Sequence, residues 1–224
     1  MIDFEKLSAY AAAFSPSENK RLQEMEAKAK AIYIPIMQPS AMAFVQQLIH
    51  WTGAKQILEL GTAIGYSAIR MRLAAGPLAE ITTVEREAQM IAEAEENIRQ
   101  MGFASSIHVV SGDATMPPEA VQTGAPYDLI LIDAAKAQYE KLFNDYKPFL
   151  RPGGIILTDN ILFHGLVYDI DSVKKKQLNR LVHKVDDYNH FLAAQKEFDT
   201  VFLTIGDGLA VSTRKSDREE QAQS

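Results

Sequence analysis

Apolar residues follow two alternating periods along the chain. Short, nearly continuous apolar runs bounded by turn residues occur at Gln56–Leu60, Ile81–Glu85, Ile107–Ser111, Leu129–Asp133 and Ile155–Thr158. Runs of this length, rich in Ile, Leu and Val, are what strands covered on both faces require. Helical stretches separate them, notably Gly65–Ala75, Glu87–Met101 and Lys136–Leu150. The alternation predicts repeated βαβ units around a mostly parallel sheet. Upstream, Glu18–Ala31 and Ser40–Trp51 read as helices, with Pro35 holding Tyr33–Met37 extended between them. Downstream, a long polar helix is expected from Ser172 to Gln195. Thr200–Ile205 and Leu209–Thr213 then face each other across Gly206-Asp207-Gly208, the pattern of an antiparallel hairpin closing one edge of the sheet. The expected organisation is one unit over residues 1–214, a helical cap (1–52) and an α/β core (53–214), followed by a polar, disordered tail at 215–224.

Composition narrows the classes. The 224 residues are 47% hydrophobic and 23% charged, the range of an ordinary globular domain. The absence of cysteine excludes disulfides, thiolate metal sites and a cysteine nucleophile. A formal net charge of −6 argues against nucleic-acid binding over the whole surface but leaves room for a local basic patch. No stretch has the apolar length of a bilayer span, and Met1–Lys6 lacks a basic leader, so the expectation is a soluble, cytoplasmic protein with no membrane partner.

Candidate chemistry gathers at the carboxyl ends of the strands, where open α/β sheets bind ligands. The first run ends in Glu59-Leu60-Gly61-Thr62-Ala63-Ile64-Gly65-Tyr66-Ser67, a glycine turn opening a helix, which delivers backbone N–H groups to a ligand. Ala63 occupies the place where a dinucleotide fingerprint has its middle glycine, which disfavours NAD and suits a cofactor with ribose and adenine but no pyrophosphate. Glu85 closes the second strand, placed to accept hydrogen bonds from ribose hydroxyls. Gly112-Asp113-Ala114 follows the third strand, Asp133 the fourth and Asp159-Asn160 the fifth. Each alone could be a cap or turn residue; four acidic strand ends on one edge weaken that explanation.

Together, Glu59-x-Gly61-x-Ala63-x-Gly65, Glu85, Gly112-Asp113-Ala114, Asp133-Ala134-Ala135-Lys136 and Asp159-Asn160 resemble the cation-dependent class I S-adenosylmethionine O-methyltransferases, which include the catechol and caffeoyl-CoA enzymes. The resemblance covers about Tyr33 to Arg214. It implies the Rossmann-like class I methyltransferase fold, a mostly parallel seven-stranded sheet with the C-terminal hairpin and N-terminal helices. It also implies S-adenosylmethionine contacts from Met37, Glu59, Gly61, Ser67, Glu85, Asp113, Ala114 and Asp133. Asp133, Asp159 and Asn160 would be ligands of magnesium or another divalent cation, hard oxygen donors of the kind magnesium takes. Asp133 and Lys136 would be catalytic, the metal lowering the pKa of the acceptor hydroxyl and the lysine accepting its proton. A solvated side chain at a helix start is the plain alternative for Lys136.

Within the family, Ile34-Pro35-Ile36-Met37, Thr158-Asp159-Asn160-Ile161-Leu162-Phe163-His164-Gly165 and Ile205-Gly206-Asp207-Gly208-Leu209-Ala210 are similar to the bacterial branch that methylates tRNA 5-hydroxyuridine. The basic stretch Lys174, Lys175, Lys176, Arg180 and Lys184, with Arg70 and Arg72 as additions, would contact tRNA phosphates; a merely solvated helix face explains it too. Phe163, His164 and Tyr188 would stack on an unpaired base, or serve packing or a dimer interface. Two acceptors stay open: tRNA 5-hydroxyuridine, giving 5-methoxyuridine at the wobble position, and a small catechol-like or other vicinal-hydroxyl compound. A non-catalytic cofactor-binding module would not need Asp133, Lys136, Asp159 and Asn160 to coincide. The family also implies a homodimer, for which the N-terminal helices offer either an interface or a lid.

Overall fold

The computed structural model describes residues 6–7, 10, 13–14 and 19–216. Most of the tail expected to be disordered, 217–224, lies outside the described residues, as does the first part of the cap. Two helices, α1 (Lys20–Ala31) and α2 (Pro39–Thr52), precede the sheet. Asn19 caps α1, its side chain accepting from the amides of Arg21 and Leu22, and Gly53 ends α2 in the left-handed conformation. The core then alternates β1 (Gln56–Leu60), α3 (Tyr66–Ala75), β2 (Glu80–Glu85), α4 (Ala88–Gln100), β3 (Ile107–Ser111), α5 (Glu119–Thr123), β4 (Tyr127–Ile132), α6 (Tyr139–Tyr146), β5 (Leu150–Asp159), α7 (Lys176–Ala193), β6 (Phe198–Leu203) and β7 (Leu209–Arg214).

The seven strands form one sheet in the order β3-β2-β1-β4-β5-β7-β6. β1 to β5 run parallel, and β7 is antiparallel to both β5 and β6. Successive strand residues point to opposite faces, and both faces are covered. Ile57, Ile81, Leu129, Leu131, Ile155 and Leu157 pack with α1–α4, whereas Leu58, Leu60, Ile130, Ile132 and Ile156 pack with Leu142, Phe143 and Tyr146 of α6 and Tyr188 and Leu192 of α7. The chain leaves β1 toward β2 and β3, then returns to β4 on the other side, so the crevice between the carboxyl ends of β1 and β4 is the topological switch point.

Four expectations are corrected. Lys136–Leu150 is not one helix: a 3₁₀ turn (Lys136–Gln138) leads into α6, and a second (Lys147–Phe149) closes it. Pro148 supplies no N–H to continue the ladder. β5 starts at Leu150 rather than Ile155, because Pro152-Gly153-Gly154, which reads as a turn, forms a bulge between the pairs Tyr127–Leu150 and Leu129–Ile155. α7 begins only at Lys176, after a 3₁₀ turn at Ile170–Ser172. The short α5 has no counterpart among the expected elements. Among the described residues no helix is long and apolar enough to cross a membrane.

Candidate active site

A cavity of about 560 Å³ opens at the switch point, walled by the glycine turn after β1 and the strand ends of β2, β3, β4 and β5. Its size is that of a small-molecule or cofactor site. The turn requires its glycines. Gly61 has φ +105, and a Cβ there would lie 2.1 Å from the carbonyl oxygen of Asp133. Gly65 (φ +80) caps α3, and a Cβ there would press on Ala94 of α4 at 3.3 Å. Ala63 itself is left-handed, φ 44, and its N–H donates to Glu85 Oε2 at 3.0 Å. Oε1 of Glu85 accepts from the amides of Arg86 (2.9 Å) and Glu87 (3.1 Å). A carboxylate has about four lone-pair sites, and three amides occupy three of them, so Glu85 holds the turn and keeps one site, on Oε2, for a hydroxyl in the cavity. Asp113 Oδ1 accepts from the Thr115 amide at 2.8 Å, a bond that holds its carboxyl below the usual range and fixes the acid at the cavity edge.

Beneath the turn lies a polar chain. Thr83 donates to Glu59 Oε2 at 2.6 Å, Ser67 donates to Oε1, and Thr62 and Thr83 hydroxyls meet at 2.5 Å. Glu59 is fully buried, and burial pushes its carboxyl up to about 8 against the pull of Ser67 and Thr83. It does not line the cavity. The expectation that Glu59 contacts the cofactor is therefore corrected: it is a strut that ties β1, β2 and the start of α3 together. Met37, Gly61, Ser67, Glu85, Asp113, Ala114 and Asp133 all line the cavity.

At the other end of the cavity the sheet register sets two acids side by side. Ile132 pairs with Thr158, so Asp133 and Asp159 are the next neighbours on β4 and β5. Burial first, then the Asp133 charge, pushes the Asp159 carboxyl up to about 8; burial also raises Asp133, with Lys136 opposing. The backbone amide of Asn160 donates to Asp159 Oδ1 at 2.7 Å, and the Tyr139 hydroxyl donates to the Asp159 carbonyl at 2.9 Å. Lys136 Nζ donates to Asn160 Oδ1 at 2.5 Å and lies 5.8 Å from the Phe163 ring centroid. Asp133, Lys136 and Asn160 line the cavity, with Asp159 behind them. Among the described residues no three His, Cys, Asp or Glu side chains come together as a metal site. A cation here would take two carboxylates and the Asn160 amide oxygen, an all-oxygen set suited to magnesium, manganese or calcium. It would also favour the ionised forms that burial opposes at both acids and that the Asp133 charge opposes at Asp159.

The proposed tRNA contacts divide. Lys174, Lys175, Lys176, Arg180 and Lys184 are exposed. Arg70 is not available: it is 6% exposed, bonded to Tyr66 Oη (2.6 Å) and Gln46 Oε1 (3.1 Å from Nε), and 3.5 Å from Glu26. Arg72 is spent on Ser106, Gly76 and Pro77. Tyr188 is 1% exposed, packed on Tyr139 and Phe191 with its hydroxyl on Thr158, so it stacks on no base. Sequence reasoning also missed Tyr66 and Thr115 as lining residues, and Asp207, which accepts from the His164 amide. Tyr66 follows Gly65 in the turn motif, which was the signal for it.

The doubly wound sheet, the glycine-turn cavity at its switch point and the acid pair beside it go with an S-adenosylmethionine-dependent class I O-methyltransferase, the class the comparisons with known proteins show. The chain belongs to the O-methyltransferase family, whose model matches residues 10–215. It is 34% identical over 184 residues to a catechol O-methyltransferase of Niastella koreensis, covering 79% of this chain and 81% of that one. A Staphylococcus aureus structure provisionally named a caffeoyl-CoA O-methyltransferase superimposes with a TM-score of 0.85 at 35% identity, over 92% of this chain and 98% of that one. The fold is shared with a Bacillus cereus O-methyltransferase solved with S-adenosylhomocysteine (TM-score 0.80, 24% identity, 95% of this chain and 100% of that one).

Proposed function

We propose that this O-methyltransferase transfers the methyl group of S-adenosylmethionine to the 5-hydroxyl of the wobble uridine in tRNA, giving 5-methoxyuridine, with a divalent cation, magnesium first, at Asp133, Asp159 and Asn160. The observation that carries the acceptor is the cationic stripe of α7. Lys176, Arg180 and Lys184 recur every fourth residue on its exposed face, with Lys174 and Lys175 leading into it, while Val182, Val185 and Tyr188 turn inward. At 1.5 Å per residue the stripe is roughly 12 Å long. In a chain of net charge −6 these five cations, ahead of Asp186 and Asp187 at the far end of the helix, form a local basic patch that suits a phosphate backbone. The segment from Asn160 to Lys175 joins it directly to the acid pair, and Phe163 packs against Val182 and Val185 on the way.

Within the site the work is division of labour. Glu85 is the group for the ribose hydroxyls, Asp113 and Ala114 flank the adenine end, and Met37, Gly61 and Ser67 line the methionine end. A cation held by Asp133, Asp159 and Asn160 would lower the pKa of the acceptor hydroxyl and help orient its oxygen. Lys136 Nζ, held by Asn160, is the group placed to take the proton that leaves that oxygen. The name of the Niastella koreensis relative supports a second reading, a free vicinal diol as acceptor. A 5-hydroxyuracil and a catechol both present two neighbouring oxygens, so one metal corner serves either.

Incubation with S-adenosylmethionine, magnesium and tRNA carrying 5-hydroxyuridine, beside a catechol panel, separates the two when nucleosides are followed by mass spectrometry. We expect 5-methoxyuridine, its loss in excess EDTA, and weak turnover of catechols. Catechol turnover without 5-methoxyuridine would transfer the assignment to the second reading, and full activity in EDTA would remove the metal from it.

A further inference from the structure

The turn between Asn160 and α7 carries a side-chain pair that the chemistry above leaves without a task. Asn160, Phe163 and His164 have φ 58, 45 and 57, three of the five non-glycine residues in the left-handed region among the described residues, and Gly165 follows at 77. Strained residues of this kind persist only where their surroundings hold them, and they gather at ligand clamps and active sites. Here the hairpin between β6 and β7 holds them. The Ile161 amide donates to the Gly208 carbonyl (3.2 Å), the Leu162 amide to the Asp207 carbonyl (3.0 Å), and the His164 amide to Asp207 Oδ1. Gly208 permits this approach, because a Cβ there would lie 2.4 Å from Leu162 Cγ.

Asp207 is only 6% exposed, and its Oδ2 has no hydrogen-bond partner among the described residues. A buried carboxylate oxygen is costly to leave unpaired. Above it, 3.6 Å away, is Nδ1 of His164, whose side chain is 70% exposed. A small rotation of the imidazole closes that gap to a hydrogen bond. One aromatic side chain links the imidazole to the acid pair: the ring centroid of His164 is 5.8 Å from that of Phe163, and Lys136 Nζ is 5.8 Å from the Phe163 centroid. An exposed imidazole backed by a buried, half-satisfied carboxylate is an oriented imidazole, one ring nitrogen fixed so that the other is presented to a ligand.

We propose that His164 is an acceptor-binding residue and Asp207 its positioning residue: Nδ1–H donates to Asp207 Oδ2, and the bare Nε2 accepts a hydrogen bond from the donor adjoining the chelating oxygens of the acceptor. In a 5-hydroxyuracil that donor is the imide N3–H, next to the C4 carbonyl; a catechol has no adjoining donor, and there the O–H of the un-ionised second hydroxyl, itself one of the two neighbouring oxygens, takes its place. The identification of the donor with N3–H rests on the tRNA reading above.

The test uses the full chain with S-adenosylmethionine, magnesium and tRNA carrying 5-hydroxyuridine, with catechol in parallel. His164→Ala should raise the acceptor KM about tenfold, the loss of one hydrogen bond, and leave the S-adenosylmethionine KM and the Tm unchanged. His164→Gln, whose amide oxygen can accept the same N–H, should recover most of that loss. Asp207→Asn should mimic His164→Ala, since an amide N–H facing Nδ1 forces a proton onto Nε2; if that variant does not fold, the two His164 variants decide. Methylating N3 of the 5-hydroxyuracil should penalise the wild type more than His164→Ala, because the two changes remove the same hydrogen bond. An unchanged acceptor KM in His164→Ala, or equal N3-methyl penalties in both proteins, overturns the proposal. A wild type that methylates catechol but not tRNA sinks the tRNA reading instead, and the His164 variants are then judged by their catechol KM.

Discussion

Asp133 and Asp159 are neighbours because β4 and β5 are, and no residue between them offers a compensating cation other than Lys136 at the cavity wall. Replacing either acid by alanine removes a hard oxygen donor from a set that has only three. Turnover of Asp133→Ala and Asp159→Ala should fall by more than the ~10–100-fold typical of groups outside the ligand shell, and magnesium titration calorimetry should show weaker binding in both. Either variant retaining wild-type magnesium affinity would count against the ligand assignment. At this scale the acids were legible because strand ends are legible: Glu85, Asp113, Asp133 and Asp159 each follow an apolar run. Arg70 was not. It sits on α3, where Tyr66 to Met71 are all buried, so no polar face exists from which an exposed charge could be inferred. Tyr188 was open between base stacking and packing, and the inward stripe Val185–Tyr188–Leu192 at helical spacing decides for packing. Glu59 joined the cofactor set by motif alone, and only the register of β1 against β2, which pairs it with Thr83, reveals that it faces a buried partner.

Among the elements, the glycine turn and α7 give the sharpest expectations. Gly61→Ala would force a Cβ toward the Asp133 carbonyl, 2.1 Å away in the present backbone, and must spread β1 from β4 where the cofactor sits. We expect a stability loss of about 1–3 kcal/mol in urea unfolding, together with a raised S-adenosylmethionine KM. A variant with wild-type values of both would show the close approach to be dispensable. On α7, changing Lys176, Arg180 and Lys184 together to alanine should flatten the dependence of log K for tRNA on log salt by roughly 2 to 3, since each phosphate no longer neutralised takes about 0.7–0.9 off the slope. Catechol turnover should not change, and an unaltered salt slope would mark the stripe as a solvated face. β1 and β3 coincide with their sequence ranges because both are short apolar runs with turn residues at each end. β5 is longer than its apolar run and the helix before it shorter than its periodic stretch, and both differences lie at Pro148 and Pro152-Gly153-Gly154. A 3₁₀ turn absorbs the first, and a bulge absorbs the second. α5, only five residues, is shorter than the window in which a period can be recognised.

For the molecule as a whole, the buried acids tie folding to pH. Glu59 and Asp159 have ordinary values of 4.5 and 3.8 and are both pushed up to about 8 by burial. In the folded protein each therefore holds a proton between roughly pH 4 and pH 8 that the unfolded chain has released. With more protons bound folded than unfolded, stability falls as pH rises through that window, by up to about 1.4 kcal/mol per pH unit for each such proton. The stabilising contribution is complete below pH 4 and gone above about pH 8, the reverse of a salt-bridged acid. A divalent cation at Asp133 and Asp159 competes with the proton there and should take away the Asp159 share of the slope; it leaves Glu59 untouched, since Glu59 faces Ser67 and Thr83 beneath the turn. Glu59→Gln keeps a side chain that can bond both hydroxyls but carries no buried charge at any pH. Urea unfolding from pH 5 to 8.5 should then show the steepest decline for the chelated wild type, a shallower one with magnesium, a shallower one in Glu59→Gln, and the flattest in Glu59→Gln with magnesium. The general effect of net charge on this acidic chain is common to all four conditions and drops out of the comparison. Parallel lines for wild type and Glu59→Gln would show that Glu59 is ionised in the folded protein across the whole range, which a fully buried carboxylate with only two hydroxyl donors would achieve only at a large cost in desolvation.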